Sequence, residues 1–81
     1  MKVYGYKRKG NKCIELRETS LYCSIEELDE IIRFLQYARE KHNEVRTITP
    51  VCHSHYRDWD KTWKEDETDI ILVTPFNEST S

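Results

Sequence analysis

Only two glycines, two prolines and one methionine occur in the 81 residues, so turn signals are few and each can be assigned a place. No apolar run approaches the roughly 20 residues needed to cross a bilayer as a helix, and the N-terminus enters a strand-like pattern without a signal-peptide core. A cytoplasmic location is the expectation. Cysteine stands at three, Cys13, Cys23 and Cys52, which leaves one over and shows no C-x-x-C spacing. Neither a disulfide framework nor a zinc finger is indicated, and reduced thiols are expected. No nucleophile, base and orienting acid fall into a spacing that identifies an enzyme class, so the chain reads as a non-enzyme with no cofactor.

Neither charge sign dominates, with 13 basic and 15 acidic side chains, but the distribution is uneven. Lys2, Lys7, Arg8, Lys9 and Lys12 give the N-terminus a basic edge. From Asp58 to Asp69 six acids, Asp58, Asp60, Glu65, Asp66, Glu67 and Asp69, face two lysines around Trp59 and Trp63. Hydrophobic residues are 37% and charged residues 35%, wetter than an average globular chain yet far from the disordered regime. One small domain over residues 1–76 is expected, with a polar tail over 77–81, and a domain of this size buries only about 60–65% of its unfolded surface.

Residues 2–8 and 13–22 are strand-like and flank Gly10-Asn11, a source of the positive φ angles of a tight turn. They predict a hairpin. A two-residue loop places Val3, Gly5, Ile14 and Leu16 on one face, whereas a three-residue loop places Tyr4, Tyr6, Ile14 and Leu16 there; the second fills a core better and is preferred. A bulge or bend near residues 18–20 would let Leu21 point inward as well as Leu16. Ser24-Ile25-Glu26-Glu27 is a capping box, and Leu28, Ile31, Ile32, Leu35 and Ala38 follow at three- and four-residue steps. These signals predict a helix over residues 25–42, packed through Leu28, Ile32 and Leu35, with Arg39, Lys41 and His42 suiting its C-terminal dipole.

Residues 45–56 have strand-like composition interrupted by Pro50, which fits an edge or a break. Residues 69–74 are apolar on both parities and predict a strand covered on both faces, ended by Pro75. The order is ββαββ, an α+β class with one long helix on one face of a mainly antiparallel sheet. The other face is left for Tyr4, Tyr56, Trp59 and Trp63, or for a second copy in a homodimer.

The densest recognition segment is Cys52-His53-Ser54-His55-Tyr56-Arg57-Asp58-Trp59. His53 and His55, two apart on a strand, project from the same face and could share a metal ion, with further ligands from His42, Asp58, Asp60 or a partner chain. The more frequent role of such histidines is hydrogen bonding to neighbouring strands. Cys52 and His53 are neighbours on opposite faces, which argues against a Cys-His hydrolase. Glu65, Asp66 and Asp69 read as a solvated contact surface rather than acid-base machinery. The basic hairpin with Tyr4 and Tyr6 is offset by acids elsewhere, so neither nucleic acid nor membrane is an expected partner. His53, His55, Tyr56, Asp58, Trp59, Asp60 and Trp63 together form the candidate partner-binding surface.

The hairpin running into Ser24-Ile25-Glu26-Glu27-Leu28, the helix with Ile31, Ile32, Phe34 and Leu35, then His53-Ser54-His55-Tyr56-Arg57-Asp58-Trp59, Trp63 and Asp69-Ile70-Ile71-Leu72-Val73 resemble small bacterial immunity-protein domains of polymorphic toxin systems. The likeness covers about three quarters of the chain. Cys52 stands where glycine would be expected, and Ser54 where an acid is common. The resemblance implies a non-enzymatic inhibitor that binds a toxin. The alternatives are a metal- or small-ligand-binding protein using His53 and His55, and a homodimeric structural protein.

Overall fold

The computed structural model describes residues 1–76; the tail expected over 77–81 lies outside the described residues. Strands β1 (Val3–Gly5) and β2 (Ile14–Leu16) precede helix α1 (Ile25–Val45), and β3 (Val51–His55), the single-turn α2 (Tyr56–Trp59) and β4 (Ile71–Pro75) follow. The α+β class and the ββαββ order of strands and long helix hold, with one extra helical turn between the last two strands. The strands form two antiparallel pairs, β1–β2 and β3–β4, rather than one sheet.

In β1–β2, Val3 pairs with Leu16, Tyr4 with Glu15 and Gly5 with Ile14. Val3, Gly5, Ile14 and Leu16 therefore share a face, and the preferred Tyr4/Tyr6 register is corrected to the other alternative. Gly5 explains the choice: a Cβ there would lie 3.1 Å from Leu16 Cδ1, so this register seats the Leu16 side chain over a glycine. Gly10 takes the positive φ of 116° in the connection. The strand ends at Leu16, the chain bends at Arg17, and Leu21 stays exposed instead of turning inward.

Helix α1 starts where the capping box places it. The Ser24 hydroxyl accepts from the Glu27 backbone N–H at 3.1 Å, and the Glu27 carboxylate accepts from the Ser24 N–H at 2.9 Å. These bonds hold the Glu27 carboxyl below its usual pKa, the Ser24 backbone bond contributing most. The helix runs three residues beyond the expected end, to Val45.

The packed face differs from the expected one. Phe34 is 0% exposed and Ala38 1%, whereas Leu28, Ile32 and Leu35 remain 41%, 45% and 43% exposed. Phe34, Ala38 and His42 form the buried row, flanked by half-buried Ile31 and Val45. A two-stranded sheet is narrow and covers a single row of helix side chains, so the Leu28/Ile32/Leu35 row beside it stays uncovered. Phe34 wins because α2 delivers two aromatics onto it: Tyr56 edge-on at 5.3 Å and Trp59 at 5.8 Å between ring centroids, with Tyr56 and Trp59 stacked at 5.9 Å.

In the β3–β4 ladder, His53 pairs with Val73, Ser54 with Leu72 and His55 with Ile71. The ladder is prolonged by Tyr56 N–H to Ile70 O at 2.8 Å and by Phe76 N–H to Pro50 O at 2.9 Å. Ser54, Leu72 and Thr74 face inward, whereas Ile71 and Val73 are exposed. Within the single chain the last strand is thus covered on one face and not, as expected of its own aromatics, on both. Tyr56 and Trp59 are spent on the helix side, and the outer face of β4 lies open.

Candidate functional site

Alternation along β3 divides its polar residues between two environments. Ser54 points at the helix, where its hydroxyl lies 3.0 Å from His42 Nε2, and Thr74 Oγ1 of β4 lies 2.7 Å from His42 Nδ1. His42 is 6% exposed and Ser54 8%. One ring nitrogen donates and the other accepts, so a neutral imidazole satisfies both hydroxyls and ties the helix to both strands. Burial lowers the His42 pKa from its ordinary value, and the nearby Lys41 and His53 push it the same way. The sequence treated His42 as a dipole partner and possible ligand; its structural use as a buried clamp went unread.

His53 and His55 share a strand face as the two-residue spacing predicts, their ring centroids 5.6 Å apart and nearly perpendicular. His55 Nδ1 lies 2.7 Å from Asp69 Oδ2. The second Asp69 oxygen accepts the Arg57 backbone N–H at 3.0 Å, and Arg57 Nε stands 3.8 Å from the first. Asp69 is therefore a positioning acid for the segment that leaves β3, a role the sequence did not assign to it. A signal was present, since Asp69 immediately precedes the apolar strand that must return beside His55.

A cavity of about 160 Å³ opens beside these groups, bounded by Tyr37 and Lys41 of α1, by β3 from His53 to His55, and by Asp58 and Trp59 of α2. The structure thus brings His53, His55, Asp58 and Trp59 of the expected surface to one place and adds Tyr37 and Lys41. Tyr37 and Trp59 rings stand 6.4 Å apart along its wall. Tyr56 sits on Phe34, and its phenol pKa is raised, first by burial and then by the acids Asp60, Glu30 and Glu67.

Asp60 and Trp63 organise the following loop. Asp60 Oδ1 accepts from the Thr62 N–H at 3.0 Å and from the Thr62 hydroxyl at 2.8 Å, while Trp63 Nε1 donates to Thr68 O at 3.1 Å. Asp60 and Asp69 of the acidic segment are thus engaged within the fold, whereas Asp58, Glu65, Asp66 and Glu67 lie exposed beside Lys61 and Lys64. Cys13, Cys23 and Cys52 are free thiols. Among the described residues, no group of three or more His, Cys, Asp or Glu side chains is arranged to hold a metal, and no helix is long and apolar enough to cross a membrane. No protein family, curated protein or solved structure matches the chain.

Proposed function

We propose that the chain is a non-enzymatic protein-binding domain that neutralises a toxin by occupying it. The observation that carries the reading is the amount of surface left open. The chain exposes 7508 Å², against about 5,200 Å² expected for a compact monomer of its mass. Part of the open surface is apolar, because Ile25, Leu28, Ile32 and Leu35 form an exposed row at helical spacing on α1. Contiguous apolar surface rimmed by charge marks protein contact sites. On the other flank of the buried Phe34/Ala38/His42 row, Tyr37 and Trp59 supply aromatic anchors, and Asp58, Glu65, Asp66 and Glu67 supply charge complementary to a basic cleft. The resemblance to immunity domains supports the identity of the partner.

Co-expression with a toxin encoded in the neighbouring genes of the source genome tests the proposal. Protection of the host and co-elution of the two chains are expected, and Leu28→Glu or Asp58→Lys should weaken both while leaving the circular dichroism spectrum unchanged. Loss of viability despite folded chain at matching levels would overturn the toxin-neutralising role.

A further inference from the structure

We infer that His53 and His55 form a two-imidazole seat for an exchangeable divalent late-transition-metal ion, with zinc and nickel as the fitting species. The reading goes beyond toxin binding and does not depend on it. It begins with strand geometry, which places side chains two apart on one face and brings these rings to 5.6 Å between centroids. Asp69 then fixes the chemistry of one ring. A carboxylate oxygen can only accept at 2.7 Å, so His55 Nδ1 carries a proton, and in the neutral ring the lone pair resides on Nε2. The Arg57 backbone N–H holds the other Asp69 oxygen, and the acid cannot easily turn away.

A carboxylate behind the distal ring nitrogen is the arrangement by which metal-binding histidines are oriented and made more basic. His53 lies beside it on the exposed side, and the cavity of about 160 Å³ that both residues line has room for an ion and its waters. Cys52 is excluded from the set because it pairs with Thr74 and alternates to the opposite face. Imidazole nitrogen suits zinc and nickel, whereas calcium and magnesium require oxygen ligands. Two protein ligands leave the remaining positions to water, which makes the site exchangeable rather than a closed structural centre.

The test is titration of zinc chloride into the isotope-labelled chain, read by the imidazole nitrogen resonances and by calorimetry, at a concentration where a single chain is present. One ion per chain is expected, with the Nε2 signal of His55 and one ring-nitrogen signal of His53 shifting and those of His42 unmoved. His53→Ala/His55→Ala should abolish the saturable event. Asp69→Asn should weaken binding by about ten- to a hundredfold. A chain with Cys13, Cys23 and Cys52 all changed to serine should bind as the wild type does. Binding that survives the double histidine substitution, binding that disappears with the cysteines, or unshifted imidazole signals at millimolar zinc would each overturn the assignment. Equal affinity in a folded Asp69→Asn variant would remove Asp69 from it.

Discussion

His42→Ala should leave Ser54 and Thr74 without their shared partner inside the helix–sheet contact, at a cost of about 1–3 kcal/mol for the stranded hydroxyl groups. Urea unfolding of the variant against the wild type measures it. The same residue sets a pH dependence. Burial holds its folded pKa below the ordinary 6.5, so as pH falls below that value the unfolded chain takes up a proton that the folded chain does not. Stability is therefore retained above the ordinary value and lost progressively as pH falls from it toward the depressed folded pKa. The His42→Ala variant should lack this component of the slope, and equal slopes in the two proteins would remove His42 as its source. The shared face of His53 and His55 was legible from spacing alone, because strand periodicity is local. Their partners were not: Asp69 reaches His55 across a loop, and His42 meets Ser54 only once the helix docks.

Helix α1 separates what local signals can establish from what docking decides. The capping box reads directly from four residues, and Ser24→Ala should cost about 1 kcal/mol, measured by thermal or denaturant unfolding. Glu27's part in it is present above the ordinary carboxyl range and lost as pH falls through its lowered pKa. The buried row was less legible. Ile25, Leu28, Ile32 and Leu35 satisfy helical spacing, and so do Ile31, Phe34, Ala38, His42 and Val45, giving an apolar arc wider than a two-stranded sheet can cover. The decision lies with α2, whose Tyr56 and Trp59 converge on Phe34. Phe34→Ala should accordingly cost about 3–5 kcal/mol, and Leu35→Ala distinctly less, since its side chain is already partly solvated. Chemical denaturation of the two variants side by side checks the order, and a larger loss at Leu35 would return the core to the other row.

At the scale of the whole molecule, the surplus of exposed area has a calorimetric consequence. Heat capacity of unfolding follows the apolar surface newly exposed, and a chain of 81 residues would ordinarily show about 1.0–1.2 kcal/mol/K. With Phe34 and Ala38 the buried hydrophobic residues among those described, less surface remains to be released, and the isolated chain at low concentration should fall below that range. A second copy on the open outer face of β3–β4 would make the deficit depend on concentration. Val51, Ile71 and Val73 lie exposed there in one layer, and a second copy covering them would remove apolar area from water only in the folded state. The unfolding midpoint should then rise with protein concentration by mass action, while light scattering shows a mass moving from one chain toward two. Val73→Lys, near the middle of that layer and solvated in the single chain, should abolish both concentration effects without lowering the midpoint of the dilute protein. A midpoint and mass that stay constant over a hundredfold range of concentration would show that no second copy covers the sheet, leaving that face solvent-exposed in the isolated chain.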